Sequence, residues 1–200
     1  MNLFILHKHS HIAAQMHCDA HVVKMILEIT QMGATICRKN GATDQDLIDF
    51  GIITKSGNPY KATHQNHPCT IWMGECYENW DWALALGLAL CDEYRYRFSK
   101  KGEPPKRHAC EDVLIAIHKY SFKHIPHLSP YPESSIEAGL GPWEHDTGPA
   151  MGTPFVQAMP DEYKHKDAVK AYRAYYHSKA WFAKWEKGRN APSWWKGVGQ

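Results

Sequence analysis

The chain has 200 residues, 44% of them hydrophobic and 22% charged, a balance that suits one folded domain with a sizeable core and excludes a disordered chain. Its formal net charge of +2 at pH 7 permits nucleic-acid binding without demanding it, so any attraction to phosphate must come from a local patch. Six cysteines form no Cys-x-x-Cys pair and no regular framework, which points to reduced thiols in a cytoplasmic protein rather than a disulfide scaffold. Residues 1–6 are too short for the apolar region of a signal peptide. No apolar run reaches the roughly 18 residues of a membrane span.

In chain order, residues 2–6 read as a short extended segment. Ser10 is a plausible N-cap for a first helix that is expected to continue to about residue 37. On it, His17, His21, Lys24, Glu28 and Gln31 follow in steps of four, three, four and three, the spacing that stacks side chains on one face. Met16, Ala20, Val23 and Leu27 flank this stripe on one side; Cys18, Val22, Met25, Ile26 and Ile29 lie on the other. A helix apolar on both sides of a charged stripe is expected to be buried, with the stripe facing an interior cleft. Imidazoles, an amine and a carboxylate held there would perturb one another's pKa, as catalytic groups require. A structural network between packed helices fits the same pattern, and Lys24 with Glu28 fits an ordinary i,i+4 ion pair.

Further along, Thr43 is placed to cap a short helix over 44–50, and Ser-Gly-Asn-Pro punctuation marks a loop over 54–66. Asn66 reads as the N-cap of a long helix with Pro68 in its first turn, carrying to Phe98 with Gly74 and Gly87 as weak points. A helix follows over 108–120. Residues 124–163 are rich in proline and glycine, a long irregular loop of the kind that is functional or mobile. Within it, Trp143, His145, Gln157 and Met159 could form a lid over a flipped base. An aromatic-rich helix is expected over 166–187 and a short tail over 192–200. The fold class that emerges is all-α: a single compact helical domain over 1–200 with one long Pro/Gly-rich loop.

Three kinds of site chemistry are in view. His17 and His21 sit at i and i+4, a spacing that can clamp a metal, and His64 and His67 could complete a set. The residues between the first two are Cys18, Asp19 and Ala20, so the central Glu of a His-Glu-x-x-His site is missing and no metal is expected. Amine chemistry is favoured instead. A neutral Lys24 amine could attack the anomeric carbon of a sugar while a carboxylate stabilises the cationic transition state. For nucleic acid, Arg95, Arg97, Lys100, Lys101, Lys106 and Arg107 gather at a helix end and could contact phosphates. Trp181, Trp185, Trp194 and Trp195 alternate with lysines and could stack on bases, or pack on the core.

The stretch Cys18-Asp19-Ala20-His21-Val22-Val23-Lys24-Met25-Ile26-Leu27-Glu28-Ile29-Thr30-Gln31 resembles the first helix of bacterial pyrimidine-dimer DNA glycosylases, whose pattern runs Leu-Asp-x-x-Arg-Leu-Gly-Lys-Gln-Arg-x-Glu-x-x-Gln. Lys24, Glu28 and Gln31 fall on that pattern's Lys, Glu and Gln, and His21 stands where it has arginine. A second block, Asn66-His67-Pro68-Cys69-Thr70-Ile71-Trp72, resembles the family's Asn-His-Pro-Ala-x-x-Met-Trp. The resemblance covers the first half of the chain. The tail, Pro192-Ser193-Trp194-Trp195-Lys196-Gly197, is similar to the aromatic and basic end of the phage member. The resemblance implies an all-helical enzyme that cuts a glycosidic bond and then the DNA backbone, through an N-terminal α-amine that forms an imine with C1′ and an assisting glutamate. Glu28 takes that glutamate's role. Because the chain opens Met1-Asn2, where the phage enzyme exposes a threonine amine, Lys24 stands beside the Met1 amine and water as an alternative nucleophile.

The expectation is therefore a DNA N-glycosylase, with possible lyase activity, acting on a damaged or modified base without a cofactor. Glu28 is the main catalytic residue, Lys24 its partner or the nucleophile, and His17, His21 and His67 acid/base or positioning groups. Arg95, Arg97, Lys100, Lys101, Arg107, Trp194 and Trp195 are the expected nucleic-acid contacts. The alternatives are a base- or nucleotide-modifying enzyme of the same fold, a non-catalytic DNA-binding module, and a His-rich metal-dependent hydrolase.

Overall fold

The computed structural model describes residues 1–129 and 152–197. Seven α-helices lie within them: α1 (Ser10–Met16), α2 (Asp19–Lys39), α3 (Asp44–Phe50), α4 (Pro68–Met73), α5 (Tyr77–Phe98), α6 (Glu111–His124) and α7 (Ala168–His177). Among the described residues no sheet forms, only an isolated bridge between Ile53 and Pro59. The fold is all-α. No helix among them is long and apolar enough to cross a membrane. Trp143 and His145, half of the expected lid, lie outside the described residues.

α2 is the central element, packed against α4, α5 and α6, while α1 lies along α5. Its inward face presents Val22, Met25, Ile26, Ile29 and Met32, all essentially sealed from solvent. Gly33 allows Ile117 of α6 to approach until a Cβ there would meet its side chain at 3.0 Å. Gly87 does the same for α5, where a Cβ would sit 3.0 Å from Leu114 and 3.2 Å from Ile29. Gly87 was expected to be a weak point, but α5 runs through it unbroken. The missing side chain is what lets three helices meet there.

Two expected helices are broken. The first ends at Met16 and restarts at Asp19, with His17 and Cys18 extended between them. Arg97, on α5, holds this break open by donating to the carbonyls of Gln15 (2.9 Å) and His17 (2.8 Å) and to Asp19 (3.1 Å). Periodicity could not register it, because the partner sits eighty positions away. The second break falls at Gly74, the C-cap of α4. His67, not Asn66, is that helix's N-cap, its Nδ1 accepting the Cys69 amide at 3.2 Å. The last helix is also shorter than expected: past His177 the chain turns back toward α2, where the Asp19 amide donates to the Lys184 carbonyl (2.9 Å) and the Glu186 amide to Asp19 (2.7 Å).

The chain start is the least ordinary part. Residues Asn2, Leu3, Phe4, Ile5 and Leu6 are buried without joining any strand. Their polar groups are met individually. Leu6 takes the guanidinium of Arg173 on its carbonyl at 2.9 Å, and the Asn2 side chain serves several partners described below. Threading this segment through the core carries the first residue to the side of α2.

Candidate active site

Glu28 is nine-tenths buried on α2, at the edge of that helix's exposed face, and the chain start covers it. The Asn2 amide donates to its Oε2 at 2.7 Å, and the α-amine of Met1 lies 3.8 Å from the same oxygen. Lys24, one turn earlier, places Nζ 3.3 Å from Oε1 with its side chain 65% exposed. One carboxylate thus holds a chain-start amine on its inner oxygen and a solvated lysine on its outer one.

Asn2 is the clamp that brings the amine there. Its Oδ1 accepts from the Leu3 amide (2.8 Å), the Tyr172 hydroxyl (3.1 Å) and, more weakly, the Cys69 thiol (3.6 Å). Its Nδ2 donates to the Ala158 carbonyl (2.9 Å). The Met1 side chain is buried as well, its Sδ receiving the Thr70 hydroxyl at 3.7 Å. α2, α4, α7 and the 152–159 segment therefore all grip the first two residues. Sequence reading missed Asn2, Tyr172 and Cys69, because nothing local distinguishes a clamp whose parts lie up to 170 positions apart.

His67 arrives from the start of α4. Burial lowers its pKa, the positive Met1 amine and His64 lower it further, and Glu28 opposes them, so the ring is largely neutral at pH 7. His64 itself takes a left-handed conformation at φ 50°, sparsely populated for a side-chain-bearing residue, and its carbonyl accepts the His67 amide at 3.0 Å. That turn aims His67. The Cys69 thiol is pushed up to about 11, chiefly by burial, so it is not a thiolate nucleophile.

The expected stripe is divided. Lys24, Glu28 and His67 gather at the chain start, whereas His17 and His21 are sealed in an aromatic cluster about two turns, roughly 10 Å, before Glu28. His21 stacks on Phe4 with ring centroids 4.5 Å apart, and its Nδ1 lies 2.7 Å from the Tyr176 hydroxyl. His17 Nδ1 is held by the Ala13 carbonyl at 2.7 Å, and among the described residues its buried Nε2 has no partner. Burial drives the pKa of His17 down to about 4 and that of His21 to about 3. Both belong to the core, which corrects their assignment as acid/base groups. The helix itself is not buried on every side either. Val23 and Leu27 are 38% and 40% exposed beside Lys24, because nothing among the described residues covers that face. Among the described residues no group of three or more His, Cys, Asp or Glu converges as a metal site.

The basic cluster over 95–107 also changes meaning. Arg97 has a fully buried side chain paired with Glu93 and Asp19 and cannot reach a phosphate. Arg95 bonds to Asp92 and Glu111, and Arg107 to Glu111 and Asp112. Lys100 is solvated but lies 3.4 Å from Glu103, and Lys101 is exposed. Trp194 and Trp195 are half-buried around Tyr176, with Trp195 stacked on His177 at 4.9 Å. Trp181 is different: 79% of it faces solvent. Gln157 bonds to the backbone of His165, pinning its own loop. Neither known family models, nor characterised proteins, nor solved structures offer a match to this chain.

Proposed function

We propose that the protein is a DNA glycosylase that breaks a nucleobase–sugar bond, with the α-amine of Met1 as nucleophile and Glu28 stabilising the cationic sugar. The carrying observation is the chain-start amine 3.8 Å from a buried carboxylate. It occurs in a chain whose first-helix and Asn-His-Pro blocks resemble those of pyrimidine-dimer glycosylases.

The chemistry follows from the groups present. The neutral amine attacks C1′ with its lone pair as the glycosidic bond breaks, and that bond's electrons leave with the base, which takes up a proton. Positive charge on C1′ and O4′ peaks midway, where the negative charge of Glu28 counts most. The attached nitrogen then sheds a proton, and its lone pair opens the furanose to give a protonated imine while O4′ gains a proton. Neutral His67, whose Nδ1 accepts the Cys69 amide, carries its hydrogen on Nε2 and is suited to donate a hydrogen bond to the sugar or the departing base, while the amine's proton leaves to water. Lys24, exposed beside Glu28, is the alternative amine, and Trp181 is a candidate platform for a base of the partner DNA.

Borohydride trapping on an oligonucleotide bearing a pyrimidine dimer or an abasic site tests the reading. The unmodified protein should become covalently fixed, and a few residues added before Met1 should abolish fixation. Glu28→Gln should leave affinity nearly unchanged and lower turnover by about two to four powers of ten. Loss of trapping in Lys24→Met, with retention in the extended protein, would move the nucleophile to Lys24. Full turnover by Glu28→Gln would overturn the catalytic assignment.

A further inference from the structure

A second concentration of positive charge lies where the chain start meets α7, built from residues that the Glu28 site does not use. An open cavity of about 380 Å³ is lined there by His7, Lys8, Phe155, Asp167, Val169 and Arg173. That volume is near the lower end of small-ligand sites.

Neither Lys8 nor Arg173 sits in a close ion pair among the described residues, and Arg173 is held in place. Arg173 is fixed by donating Nε to the Leu6 carbonyl at 2.9 Å, and its guanidinium lies 5.5 Å from the centre of the Trp194 ring. Among the described residues no carboxylate lies within ion-pair distance of it, unlike Arg95, Arg97, Arg107 and Arg189, although Asp167 is near enough to favour its charge against the effect of burial. Nη2 has only the weak acceptor Met16 Sδ, at 3.8 Å. The backbone of Lys8 is anchored by Trp82 Nε1, which donates to its carbonyl at 2.7 Å. His7 Nδ1 accepts the His9 amide at 3.1 Å, so the neutral ring carries its hydrogen on Nε2, as a donor. The one acid among the described lining residues, Asp167, has one oxygen committed to capping α7, where it accepts the amides of Val169 (2.9 Å) and Lys170 (3.2 Å). Its other oxygen can take a sugar hydroxyl or a base N–H. Phe155 supplies an apolar wall, braced by Trp72 and Trp82 at 5.6 and 5.1 Å between ring centres.

We propose that this cavity binds the phosphate of a nucleotide, with Arg173, Lys8 and His7 donating to the phosphate oxygens and Phe155 contacting the attached ring. A guanidinium and an ammonium outside any close ion pair among the described residues favour a dianion or a phosphodiester. The bond to Leu6 fixes the guanidinium before a ligand arrives, and Lys8, exposed with its backbone held, can bring its ammonium onto the phosphate. The phosphate can come from a free mononucleotide or from the backbone of a DNA strand. The second source rests on the glycosylase reading above; the first does not.

Calorimetric titration with dTMP, thymidine, inorganic phosphate and a short DNA duplex tests this. The unmodified protein should bind dTMP about tenfold or more tightly than thymidine, and Lys8→Gln and Arg173→Lys should each weaken it by about tenfold, the scale of one charge-assisted hydrogen bond. Thermal melting of each variant checks that it is folded; Arg173→Lys keeps the charge and loses only the planar fork. Weakened duplex binding in both variants, with no binding of dTMP, would assign the phosphate to a DNA backbone. Equal binding of dTMP and thymidine, together with unaltered duplex binding by both folded variants, would overturn the proposal. Imine trapping by the unmodified protein, measured alongside, keeps that failure distinct from a failure at Glu28.

Discussion

His17 and His21 show how burial converts a pair of promising imidazoles into a liability in acid. With His118, also lowered to about 4 by burial, they are neutral in the folded protein at pH 7. The unfolded chain protonates them near the ordinary value of 6.5, before the folded state does. Their contribution to stability is therefore fully present above pH 6.5 and is lost as pH falls from there toward about 4. Each contributes a slope of up to about 1.4 kcal/mol per pH unit in that window. His67 and His108, lowered mainly by burial, act in the same direction. The urea midpoint should thus drop steeply between roughly pH 6.5 and 5, with little change above pH 7. A midpoint that stays level down to about pH 5 would show that these rings are not held neutral. Spacing selected His17, His21, Lys24 and Glu28 as one set, yet it could not separate the members that meet the chain start from those that meet Phe4 and Tyr176, because burial depends on what packs opposite.

Among the elements, the junction of α1 and α2 depends on one side chain from α5. Arg97 is bonded on all sides to carbonyls and carboxylates, and Glu93 beside it also takes Arg189, at 2.6 and 3.0 Å. Burial alone would raise the Glu93 pKa, but the bonds from Arg189 and Arg97 outweigh it and leave it lowered. Arg97→Met would strand two carbonyls and remove the inner partner of a nearly sealed carboxylate. A loss of about 3–5 kcal/mol in unfolding free energy is expected, measured by chemical denaturation. A loss below about 1 kcal/mol would mean that water replaces the guanidinium readily. The short helix over 44–50 shows the opposite dependence. Thr43 and Asp46 form a reciprocal capping box at its start and Gly51 closes it in the left-handed region at φ 78°, so both of its ends are legible within a few residues of sequence.

At the scale of the whole molecule, the arginines at the end of α5 are spent on the protein's own carboxylates. Arg95, Arg97 and Arg107 meet Asp19, Asp92, Glu93, Glu111 and Asp112, so these guanidiniums are already engaged. Each phosphate neutralised on duplex DNA contributes about 0.9 to the slope of log affinity against log salt. Replacing Arg95 and Arg107 by Gln should therefore leave that slope nearly unchanged, as read by anisotropy titration across a salt series. A fall of about 1.8 would show that both leave their carboxylates to contact phosphate. The all-α class, the capped helix over 44–50 and the pairing of Lys24 with Glu28 follow from local spacing, since a helix repeats every 3.6 residues and reports its own neighbours. The break at His17, the burial of residues 2–6, the clamp on Asn2 and the cavity beside Arg173 were decided only by tertiary structure. Each depends on a partner far along the chain, and neither periodicity nor composition records which distant side chain will arrive to satisfy a buried polar group.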